Sequence, residues 1–158
     1  MQYITNLLHN HVFITAASAW ALAQVIKTIL DLILTKGFHP ERLVGAGGMP
    51  SCHSATVCAL ALSCLYEHGA GSTYFAISAM LAIIVMYDAR GVRRETGTQA
   101  VVINQIVEYL SNPNDPRYKD PEFSEEKLKE LVGHTPLQVF FGAVVGIIVA
   151  VFVYSVIF

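Results

Sequence analysis

Two short stretches pair a histidine with a proline at the start of an apolar run. The first is Gly47-Gly48-Met49-Pro50-Ser51-Cys52-His53-Ser54. Proline is favoured at the first helical position, and the unpaired N–H groups there, together with the helix dipole, attract anions. Ser51 adds a hydroxyl donor, and His53 can give up a proton near neutral pH. The second is Gly133-His134-Thr135-Pro136, with Thr135 as the expected N-cap and Pro136 as the first helical residue. A pair of imidazoles suits phosphoryl transfer, since one can attack phosphorus while the other protonates the leaving oxygen. Arg42, Arg93 and Arg94 are candidates to bind the phosphate, because a guanidinium matches it with two parallel hydrogen bonds. The blander reading is that both histidines cap helices at a wet interface, and that the arginines set topology and snorkel to headgroups.

The elements that must position these residues are those of a membrane protein. Of 158 residues, 54% are hydrophobic and 14% charged, where a soluble domain carries about a quarter charged residues. Mean hydropathy is +0.50. The net charge of -2 gives no basic field for nucleic acid, which is excluded as a partner. The first ten residues lack the basic start of a signal peptide, so the first apolar segment is expected to be retained. The expected fold is an all-α, polytopic membrane bundle in a single domain over 1–158, with about four transmembrane segments and an interfacial amphipathic helix.

The segments are 12–35, 51–66, 73–88 and 136–158, with the second, at 16 residues, short for a full crossing. Residues 94–110 read as the amphipathic helix, 111–123 as a proline-rich loop and 124–132 as a short charged helix. In the first segment Gln24, Lys27 and Asp31 share one face turned from lipid. Lys27 and Asp31 are equally readable as a structural pair. Tyr87 and Asp88 end the third segment, where a cap or packing role competes with catalysis. Gly142 and Gly146 form a G-x-x-x-G pair that permits close helix contact and is the one sequence feature that speaks to a possible homodimer. Cys58 and Cys64 read as small packing residues. His9, His11, His39 and His68 read as surface or interfacial residues. Lys27 aside, every Lys and Arg lies in the two loops on one side of a four-segment topology, which the positive-inside rule makes cytoplasmic, in the cell membrane.

These residues resemble the divergent branch of the type 2 phosphatidic acid phosphatase (PAP2) superfamily, related to acid phosphatases and vanadium haloperoxidases. The similarity rests on GGMPSCHSA at 47–55, YDARGVRRETGTQAVVINQ at 87–105 and LKELVGHTPLQVFFGAVVG at 128–146, with Trp20, Gln24 and Lys27. The wider superfamily hydrolyses phosphate esters without metal through a phosphohistidine, using K-x6-R-P, P-S-G-H and S-R-x5-H-x3-D motifs. The resemblance implies His53 as general acid, Ser51 as phosphate ligand and His134 as nucleophile. Cys52 stands where glycine is usual, and Gln138 where the superfamily has an aspartate. No Ser-Arg precedes His134 at the superfamily spacing; Arg93 or Arg94 is the substitute. Lys36 and Arg42 approximate the first motif with five residues between them, and Lys27 is a rival for the lysine role. An amide at 138 can fix a histidine tautomer but cannot stabilise imidazolium as a carboxylate does, and Asp88 is a candidate to compensate.

The function expected is a lipid phosphate phosphatase acting on a phosphatidic-acid-like monoester or an isoprenoid phosphate or diphosphate, with no metal or cofactor. The alternatives are a non-catalytic binder or transporter of phosphorylated lipid and a small structural membrane protein.

Overall fold

The computed structural model describes residues 2–37, 48–110, 128 and 133–157. The helices are α1 (Gln2–Leu8), α2 (His11–Thr35), α3 (Cys52–His68), α4 (Thr73–Arg90), α5 (Val92–Leu110) and α6 (Pro136–Phe152), the last continued by a π-helical turn, Val153–Ile157. Side chains cap most of the starts. Asn10 accepts from the Phe13 N–H at 2.9 Å and Ser72 from the Phe75 N–H at 3.1 Å. Each cap satisfies one of the donors that a helix start leaves open.

The four packed helices α2, α3, α4 and α6 run in alternating directions. At one end Ser51, before α3, donates its N–H to the Gln138 carbonyl at 3.0 Å, and His134 donates its N–H to the Ala89 carbonyl of α4 at 3.0 Å. At the other end Glu67 of α3 approaches His11 of α2 and accepts from Tyr154 beyond α6. α3 packs against α2, α4 and α6 and is the central helix. Its seven buried residues are small or modest in size, among them Ala55, Ala59 and Ser63. The core cluster is correspondingly fine-grained, with Ala19, Ala23, Ala55, Ala59 and Ala150 all fully buried. Helices that bury alanine and glycine can bring their backbones together, which is how association proceeds where lipid removes the hydrophobic drive.

Gly142 and Gly146 carry this furthest. A Cβ on Gly142 would collide with the Ser51 carbonyl oxygen, and one on Gly146 with the Ala55 carbonyl oxygen. The pair is therefore used inside the chain, holding α6 on α3, rather than presented to a second copy. On lipid-facing surfaces the pattern inverts: Ile77, Met80, Ile83 and Ile84 of α4 are exposed.

Among the described residues three stretches are long and apolar enough to cross a membrane: His11–Thr35, Thr73–Val107 and Pro136–Ile157. α3 is the remaining segment of the expected four and falls short of that length. α3, at 17 residues, is about 25 Å long against a hydrocarbon core of about 30 Å, and reaches both ends of the bundle inside a sheath of neighbours. Other boundaries shift too. α4 runs on to Arg90, and Gly91 alone separates it from α5, so the amphipathic helix begins at Val92 rather than 94. Pro50 is not helical, because Ser51 takes the N-cap and accepts from the Ser54 N–H at 3.4 Å. Of the loop expected at 35–50, residues 38–47 lie outside the described residues, as do the expected loop 111–123 and most of the charged helix 124–132.

Candidate functional site: two histidines at paired helix starts

The starts of α3 and α6 lie side by side because the glycines of α6 let the two backbones touch. His53 is the second residue of α3 and His134 the second residue before α6, and their ring centroids are 6.0 Å apart with the planes at 61°. His53 is half-buried, whereas His134 is buried at 2% exposure.

Gln138 does two things at once. Its N–H donates to the Thr135 hydroxyl while its Oε1 accepts from the Thr135 N–H at 3.0 Å, a complete capping box. The same Oε1 lies 3.3 Å from His134 Nδ1. An amide oxygen only accepts, so Nδ1 carries the proton and Nε2 carries the lone pair. Among the described residues Nε2 has no hydrogen-bond partner, and neither does the buried Ser54 Oγ. A buried polar atom left unpaired costs about 1–3 kcal/mol, which a bound ligand would recover. Burial lowers the pKa of His134; the Gln138 amide opposes this, the charges of His53 and Lys27 reinforce it, and the Gly48 backbone opposes it weakly. His134 is thus held in the neutral form a nucleophile needs.

Lys27 supplies the third wall. It is buried at 2% exposure, on the face shared with buried Gln24. Its stem passes under Gly48, where a Cβ would stand 3.1 Å from Lys27 Cδ. Gly48 has φ 84°, a conformation in which a side chain is strained even without that contact. Its role in roofing a lysine was missed in the sequence, where it reads as one glycine among several in a loop. Ser54 was missed as well, and its signal was its position three residues after Ser51 on the face that meets Gly142. Ser51 is fully buried between the two helix starts.

The remaining candidates divide. Asp88 is half-buried beside Ala89, the residue bonded to His134. Arg94 is exposed in the first turn of α5, five residues beyond Ala89. Lys36 is exposed and closes α2 in a left-handed conformation with φ 54°. It stands apart from the buried cluster that holds Lys27. Arg42 and the side chain of Arg93 lie outside the described residues.

Fold and site together define a membrane-embedded helical bundle that carries a histidine pair at one end. The Divergent PAP2 family matches residues 8–149, and the chain belongs to that family. It is 42% identical over 148 residues to the uncharacterized membrane protein YuiD of Bacillus subtilis (strain 168), a match covering 90% of this chain and 93% of that protein. No solved structure matches the chain.

Proposed function

We propose that the chain is a metal-independent phosphatase of lipid-linked phosphate, a phosphatidic-acid-like monoester or an isoprenoid phosphate or diphosphate, working through a phosphohistidine at His134. The supporting observation is a buried, neutral, tautomer-locked His134 whose Nε2 has no hydrogen-bond partner among the described residues, with the His53 ring 6.0 Å away. Nε2 attacks phosphorus, the P–O bond to the lipid breaks, and protonated His53 gives its proton to the departing oxygen. Water then attacks the phosphohistidine with His53 as base, releasing phosphate and restoring both rings. Lys27 and the Ser51 hydroxyl neutralise charge on the phosphoryl oxygens, with Arg42, Arg93 and Arg94 as further ligands and Asp88 and Gln138 as supports. The site end faces the cytoplasm by the positive-inside rule, at the plasma membrane. A headgroup entering there leaves its tail in lipid, so no apolar surface is exposed to water.

The test is phosphate release from a lipid phosphate by detergent-solubilised protein. Release that persists in chelator and is lost in both His53→Ala and His134→Ala is the expected result. Release retained in those variants overturns the mechanism. A second reading, a non-catalytic binder or transporter, is favoured by the amide at Gln138 in place of a carboxylate. It is adopted if phospholipid binds with no turnover.

A further inference from the structure

An open groove of about 590 Å³ lies along α2 and α3, away from the histidine pair. Phe13, Ala16, Ala17 and Trp20 form one wall, with Thr56, Leu60 and Cys64 opposite, and Asn10, His68 and Tyr74 close the far end. Its register leads to the site. On α2 the stripe Phe13, Ala17, Trp20 continues at the same three- and four-residue spacing to Gln24 and Lys27. On α3 the stripe Cys64, Leu60, Thr56 continues to His53. The two walls thus end at the lysine and one of the histidines described above.

The groove matches a hydrocarbon chain in shape and lining. From Thr56 to His68 α3 rises about 18 Å, against roughly 15 Å for one leaflet, half of the hydrocarbon core. The small residues Ala16 and Ala17 leave a trough between the rings of Phe13 and Trp20, each partly exposed. A single extended chain fits such a trough; a polar headgroup has no charged partner in it.

We infer that this groove holds one hydrocarbon tail of the lipid phosphate whose headgroup lies between His53 and His134. The placement of the headgroup rests on the phosphatase reading; the tail site has its own readout. Trp20 is the one tryptophan of the chain, so its fluorescence reports on the groove alone.

The experiment titrates detergent-solubilised full-length protein with octadecyl phosphate brominated at mid-chain. Saturable quenching of Trp20 is expected. Ala17→Phe, at an exposed position, and Leu60→Phe on the opposite wall should each raise the quenching midpoint about tenfold, the equivalent of roughly two displaced methylenes. The wild-type KM should fall from octyl to octadecyl phosphate, and Ala17→Phe should flatten that dependence. Equal quenching by brominated octadecanol, which has no phosphate, or a midpoint unmoved in both folded variants overturns the inference. Saturable, variant-sensitive quenching with phosphate release intact in the histidine variants leaves the groove standing and removes the phosphatase. Release that depends on both histidines, with quenching blind to Ala17→Phe and Leu60→Phe, removes the groove alone.

Discussion

The two ends of the bundle use similar residues to opposite effect. At the far end His11 Nδ1 lies 3.7 Å from Glu67 Oε1, the Tyr154 hydroxyl donates to the same oxygen at 2.8 Å, and Tyr66 stacks on Tyr154 at 5.0 Å. His68 packs on Tyr74 with ring centroids 4.7 Å apart. These polar groups are mostly exposed and satisfied by one another. At the near end His134, Ser51, Ser54 and Lys27 are buried, and two polar atoms of His134 and Ser54 have no hydrogen-bond partner among the described residues. Between the ends lies a waist of buried alanine and glycine. A cluster that satisfies itself fastens helix ends. On the proposed reading a buried cluster left incomplete is completed by a ligand, and that distinguishes the two better than residue type does.

The largest effects should come from the histidines. His134→Ala should abolish phosphate release, and His53→Ala should lower kcat by about a hundred- to ten-thousandfold, the usual range for a general acid. His11→Ala should stay within about twofold in the same assay. Comparable losses at both ends would erase the contrast.

Next in size is the waist. Gly146→Val puts a side chain against the Ala55 carbonyl. It should destabilise the fold by about 1–3 kcal/mol, as overpacking does, read as a lower unfolding midpoint in detergent. Because α6 then shifts on α3, release should fall with it.

The pH dependence is a finer probe. Since burial lowers the pKa of His134 from the ordinary 6.5, the nucleophile stays neutral below that pH, and the acid limb of kcat/KM should lie under 6.5. Gln138→Glu places a carboxylate at Nδ1, stabilises imidazolium and should move the limb upward. The folded state also binds this proton less readily than the unfolded chain, so stability should fall as pH drops through 6.5, and His134→Gln should flatten that slope. A limb that is unmoved in Gln138→Glu would detach the amide from the histidine. Smallest is Tyr154→Phe, which loses the exposed hydrogen bond to Glu67: about 1 kcal/mol or less by thermal unfolding, with phosphate release unchanged.

Much of this was legible in the sequence. Apolar runs of spanning length located α2, α4 and α6, and the Thr135-Pro136 cap fell where expected because a capping signal is local. The ends of α3 were harder. Pro50 resembles a first helical residue, but Ser51 holds the cap because its backbone is committed to Gln138, an interaction 87 residues away in the chain. The choice between Lys27 and Lys36 was likewise open, since charge spacing does not report burial; the packing of Gly48 over the Lys27 stem does. Gln138 was readable as a tautomer lock by analogy with an aspartate, but not as half of a capping box with the same oxygen.

The contact between Gly142 and Ser51 and between Gly146 and Ala55 has a mechanical consequence. Helices joined backbone to backbone over a full turn slide or tilt as a unit, so the two imidazoles ride on one rigid jaw. On the proposed reading, admitting and releasing a headgroup falls to the opposite jaw, α2 with Lys27, since the end of α4 is itself tied to His134 through the Ala89 carbonyl.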